Sequence, residues 1–120
     1  MIVAFSVAMS VPLAETYEVT AYTANAESTG KAPGHPAFGI TASGARVREG
    51  VTAACPPELP FGTRVHIEGV GERVCTDRGG AIKGRRLDVY IADRSEALRF
   101  GRRKLSVTIC AKSELARLIR

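Results

Sequence analysis

Six short β-like runs punctuate this chain: EVTAYT at 18–23, VTAA at 51–54, TRVHIEG at 63–69, ERVCT at 72–76, LDVYIA at 87–92 and KLSVTIC at 104–110. In the first, Val19, Ala21 and Thr23 alternate with polar neighbours, the two-residue period of a strand with one buried face. Glycine, proline or charged residues bound each run, and so many short strands so closely spaced signal an all-β barrel or sandwich. A chain of 120 residues has room for one domain. Closing the sheet on itself removes exposed edges, so the expected fold is an all-β, six-stranded closed barrel with one or two short helices. The 12 glycines and 6 prolines supply the tight turns.

Other segments fill in the outline. SEALRFG at 95–101 reads as a short helix, with Ser95 as N-cap and Gly101 as a left-handed C-cap. SELARLIR at 113–120 has Leu115, Leu118 and Ile119 at helical spacing, giving a helical tail over 111–120. Residues 24–40, rich in glycine, proline and small polar residues, form a long surface loop. Loops of that length inside a small domain tend to carry function. Residues 1–14, MIVAFSVAMSVPLA, are apolar, uncharged and too short to span a bilayer as a helix. They read as the apolar stretch of an export signal, without the basic residues that usually precede one; the competing reading is an N-terminal strand. No repeat or linker divides the chain.

Composition narrows the partners. Net charge is +5, which fits an anionic polymer such as an acidic wall glycan as well as simple solubility. The basic residues of the second half are spread over strands and loops, and no nucleic-acid motif accompanies them, so nucleic acid is not expected. Aromatics are 6% and tryptophan is absent, which argues against an aromatic polysaccharide platform. Cys55, Cys75 and Cys110 allow one disulfide and one free thiol, and spacing alone leaves the pairing open. With no CxxC, and with His35 and His66 far from any cysteine pair, neither a metal site nor a cofactor is expected. His66 sits between Val65 and Ile67 on a strand and should face solvent, whereas His35 falls in the long loop as a groove-lip residue. PFGT at 60–63 reads as a turn.

CTDRGGAIKGRRLDVY, residues 75–90, carries the chemistry. Gly79, Gly80 and Gly84 let the backbone turn sharply and approach a ligand. Ile82 is apolar in a polar loop and should anchor it to the core, leaving Lys83 outward near the acids. Asp77 precedes the loop and Asp88 enters a strand between Leu87 and Val89. Partial desolvation there would raise the Asp88 pKa and suit it to general-acid work near neutrality.

YTANAE, ITASG, AACPPELPFGT, CTDRGGAIKG, RRLDVY and EALRFGRR occur in the order seen in the 3D (three-aspartate) domain. That domain forms the catalytic end of membrane-bound lytic transglycosylase A and occurs in stationary-phase muralytic proteins. The resemblance spans residues 17–110. It implies a double-psi β-barrel that cleaves peptidoglycan between N-acetylmuramic acid and N-acetylglucosamine with a 1,6-anhydro product, in a secreted, periplasmic or cell-wall-associated setting without stable membrane insertion. It also implies Asp88 as acid/base and Asp77 as the second aspartate, stabilising charge on the sugar or orienting it. Thr41, Ser43, Gly79, Gly80 and Lys83 are candidate sugar contacts, and Tyr22 a candidate stacking residue. Cys55 stands where the family's first aspartate is expected, and either replaces it chemically or forms a bracing disulfide with Cys75. The segment TAACPPELPFGTRV also resembles rare lipoprotein A, a related barrel in which histidine is common at that position. The departure at Cys55 keeps open an expansin-like wall-binding module that cuts no bond.

Overall fold

The computed structural model of the chain describes residues 14–25 and 29–110. The apolar segment before Ala14 and the helix expected over 111–120 lie outside the described residues. Strands run β1 Ala14–Tyr22, β2 Thr52–Ala54, β3 Arg64–Ile67, β4 Gly71–Asp77, β5 Arg86–Tyr90 and β6 Arg103–Cys110, with helix α1 Arg94–Phe100 between the last two. They close into a six-stranded double-psi β-barrel in the order β1-β5-β2-β4-β3-β6. Two of the pairings, β1 with β5 and β2 with β4, are parallel, and the other four are antiparallel.

Alternation sends one face of every strand inward. Val19, Val65, Ile67, Leu87, Val89 and Val107 meet there with essentially no exposure, joined by Tyr17, Ala53, Cys55 and Cys75. His66, between Val65 and Ile67, is exposed. Burying such aliphatic side chains contributes about 1.5–3 kcal/mol each. A smaller apolar group of Tyr22, Ala54 and Ile82, with Tyr90 against it, packs separately from this core.

β1 begins at Ala14, four residues before the run visible in the sequence, because Ala14–Val19 pairs antiparallel with β6. That pairing is non-local and leaves no mark on local alternation. The helix also differs from expectation: its N-cap is Asp93, not Ser95. Asp93 Oδ1 accepts from the backbone N–H groups of Ser95 and Glu96 at 2.7 and 3.2 Å, satisfying two otherwise orphaned donors. Gly101 ends the helix at φ 66° and ψ −139°, not in the left-handed helical conformation expected of it but in one that is open to glycine because it has no Cβ.

Candidate functional site

One lateral row of the barrel brings the acidic residues together. Thr20 of β1 is in register with Asp88 of β5, Asp88 with Ala54 of β2, and Ala54 with Asp77 of β4. The two aspartates thus flank a single alanine, with their Cα atoms about 10 Å apart across two strand spacings. Leu87 and Val89 face the core, so Asp88 between them faces outward.

Asp77 reaches this face through a bulge. Ala53 pairs with Cys75 but Ala54 pairs with Asp77, leaving Thr76 as an extra residue in β4. Cys75 is fully buried, and strict alternation would send Asp77 to that same inner side. The bulge re-aims it beside Ala54 and Asp88.

The two carboxylates are held differently. Asp77 Oδ2 accepts from the Tyr22 hydroxyl at 2.6 Å, and its Oδ1 accepts from the backbone N–H groups of Ala42 and Arg78, both at 2.9 Å. Asp88 Oδ1 accepts from the Thr20 hydroxyl at 2.8 Å. Burial pushes the Asp88 carboxyl above its ordinary range; the Thr20 hydrogen bond and the Arg86 charge pull it back, and Asp77 adds to the rise. A carboxyl displaced in this way keeps its proton longer as pH rises, which is what a general acid requires.

A cleft of about 470 Å³ opens over the row. Asp77, Asp88, Ala54, Tyr22, Gly79 and Gly80 line it, together with Thr29, Lys31, Ile40, Thr41, Ala42 and Val47 from the long loop and its continuation. Lys31 Nζ donates to the Ile40 carbonyl at 3.2 Å. Gly79 has a steric role: a Cβ there would come within 3.0 Å of the Ile82 side chain. Ile82 is 5% exposed and anchors the 79–84 loop.

The structure distributes the remaining sequence candidates unevenly. Thr41 lines the cleft, but its hydroxyl donates to the Ala45 carbonyl and contacts Ser43 Oγ. Ser43 and Lys83 are exposed and outside the cleft lining. Tyr22 offers no open stacking face, being 8% exposed with its ring edge-on to Tyr90 and its hydroxyl on Asp77. Burial, then the bond to Asp77, pushes the Tyr22 hydroxyl pKa well up, so it serves as a donor. Cys55 is fully buried and disulfide-bonded to Cys75, with Cα atoms 5.5 Å apart. It presents no free thiol to the cleft; Cys110 is the free cysteine among the described residues. His35 is exposed, and its Nδ1 accepts from the Ala37 N–H.

Sequence reasoning passed over Thr20, Arg78 and Lys31. Arg78 Nη1 donates to the carbonyls of Cys55 and Asp77 and its Nη2 to that of Leu59, while the guanidinium sits 4.2 Å from the Phe61 ring centroid. It ties the start of the glycine loop to the segment after β2. Its place beside Asp77 was a signal, whereas Thr20 gave only its parity with Tyr22 on an outward face.

Among the described residues no group of three or more His, Cys, Asp or Glu side chains is arranged to hold a metal, and no helix is long and apolar enough to cross a membrane.

Residues 51–111 match the 3D domain. The chain is 36% identical over 98 residues to "Cell wall-binding protein YocH" of Bacillus subtilis (strain 168), an alignment covering 78% of this chain and 31% of that protein. It is 35% identical over 94 residues to "Putative cell wall shaping protein YabE" of the same organism, covering 78% and 22%. The chain thus spans less than a third of either relative. Among solved structures, MltA from Escherichia coli, described as a lytic transglycosylase fold, superposes with a TM-score of 0.52 at 23% identity, over 58% of this chain and 26% of that one. At that identity the likeness is one of fold.

Proposed function

The chain belongs to the 3D domain family, and from that premise we propose that it is a lytic transglycosylase of bacterial peptidoglycan, with Asp88 as its single acid and base. The observation that carries this reading is the contrast between the carboxyls: Asp77 accepts three hydrogen bonds, whereas Asp88 is half-buried, displaced upward in pKa and engaged through Oδ1 by Thr20. The relatives named for cell-wall binding and cell-wall shaping support the same arena, at or outside the cell surface.

The chemistry needs one moving proton. Protonated Asp88 gives its proton to the glycosidic oxygen as the bond from muramic C1 breaks and positive charge spreads over the sugar ring. The Asp88 carboxylate then takes the proton of the C6 hydroxyl as that oxygen attacks C1. The product is the 1,6-anhydro sugar, and Asp88 ends protonated as it began. No water is consumed, so the second carboxylate that ordinary hydrolases use to activate water is not required. Asp77 acts at a distance, its negative charge favouring the cationic sugar.

A second reading draws on the disulfide at Cys55: the position of the family's first aspartate carries no carboxylate, which favours a module that binds wall glycan without cutting it. Mass spectrometry of fragments released from purified peptidoglycan separates the two. Anhydro-muramyl products, one water lighter than hydrolytic ones, that disappear with Asp88→Asn establish the transglycosylase. Retained binding with no products establishes the binding module, and reducing-end products would make it a hydrolase.

A further inference from the structure

Two residues before Asp88 on the same outward face, the barrel carries a second row of a different character. Arg86 of β5 is in register with Glu18 of β1, and Glu18 with Lys104 of β6. Two strand residues span about 7 Å, so this row borders the catalytic one. Glu18 Oε2 accepts from Arg102 Nη1 at 2.8 Å, and its Oε1 forms an ion pair with Arg86 Nε at 3.3 Å. The Arg102 hydrogen bond holds the Glu18 carboxyl below its usual range, and the charges of Arg102, Arg86 and Lys104 add to that. Three cations therefore surround one carboxylate. The Arg102 side chain is 66% exposed, and Lys104 is exposed at the strand end. Arg86 is fixed by the Ala81 carbonyl at 3.0 Å, which ties the row to the glycine loop at the cleft.

Resting on the reading of the site as a peptidoglycan cleft, we propose that Arg86, Arg102 and Lys104 form a shelf that binds carboxylates of the peptide stems on the strand being cut, and so select glycan with ionised stems over glycan whose stems carry no charge. The occupant follows from position. An anion held one row from Asp88 must hang from a sugar at or beside the scissile bond; in stem-bearing glycan the lactyl carboxyl of the muramic acid is tied up in an amide, so the nearest free carboxylates are those of the stem. Glu18 keeps the arginines in place until a stem carboxylate competes for the outer two cations.

The test is binding of the full chain to sacculi freed of phosphate-containing polymers, with stem carboxylates intact or neutralised by carbodiimide coupling to ethanolamine. An Asp88→Asn background prevents cleavage during the measurement. Intact sacculi should bind about tenfold more tightly at low ionic strength, and high salt should erase the difference. Arg102→Gln combined with Lys104→Gln should lose about five- to tenfold on intact sacculi and nothing on neutralised ones. Glu18→Gln, which removes the competing carboxylate, should tighten binding to intact sacculi by about two- to threefold. Equal affinity for both sacculi, equal losses on both, or no sacculus binding at all would overturn the proposal. A preference that appears only when phosphate polymers are left in place would overturn it too, assigning the shelf to those polymers. Because the readout is binding, it can fail while the anhydro-product assay succeeds, and the reverse.

Discussion

Replacing Thr20 with valine keeps the side-chain shape and deletes one donor, the hydroxyl that reaches Asp88 Oδ1 at 2.8 Å. That bond favours the charged carboxylate, whereas burial favours the neutral acid. A hydrogen bond to a charged group contributes roughly 1.5–3 kcal/mol when fully buried, and the low end suits a half-buried pair. About 1.4 kcal/mol corresponds to one pH unit, so Thr20→Val should carry Asp88 upward by about one unit. The general acid must be protonated, hence the alkaline limb of the pH profile for anhydro-product release should move up by that amount. Thr20→Ser, which keeps the donor, should leave the limb in place. Carbon-13 NMR of the Asp88 carboxyl reads the same change without relying on turnover. A limb and a carboxyl titration that stay where they were, or move down, would refute the assignment of Thr20 as the residue that tunes Asp88.

Three further outcomes follow from the same geometry. Folded Asp88 holds its proton more tightly than the unfolded chain does, so its ionisation costs stability as pH rises from the ordinary Asp value, about 3.9, through the folded one. Asp88→Asn should therefore melt about 2–4 °C above the parent at pH 8, with no advantage in strong acid, as read by calorimetry. Reducing the Cys55–Cys75 bond, which spans 20 positions of chain, should lower unfolding free energy by about 3 kcal/mol; an unchanged urea midpoint in reductant would count against the bond as a brace of β2 on β4. Tyr22→Phe removes the 2.6 Å donor to Asp77 and should cost about 2 kcal/mol in urea unfolding; equal stability would mean that water replaces the hydroxyl freely.

Local pattern determined much of this protein. Alternation in LDVYIA and TRVHIEG announces which faces of β5 and β3 are buried, and Leu87, Val89, Val65 and Ile67 are indeed in the core. The apolar neighbours of Asp88 told only which way it points: Leu87 and Val89 face inward together, so the carboxyl faces out, and its desolvation comes from the cleft residues that other elements bring against it. The lone Ile82 among glycines marked an anchored loop, and it is buried. The order of short motifs carried the family. What the sequence could not display is who lies beside whom. Thr20 and Asp88 are 68 positions apart and Tyr22 and Asp77 are 55 apart, brought together by parallel pairing and barrel closure. The one-residue slip at Thr76 that turns Asp77 outward depends on the partner strand rather than on β4 itself. The long loop was expected to be functional, yet only the fold decides that Lys31 and Val47 reach the cleft while Ser43 and Lys83 do not. Side-chain period is a property of a single strand and survives in sequence; register, neighbour and cleft belong to pairs of strands, and exist only once the chain has closed.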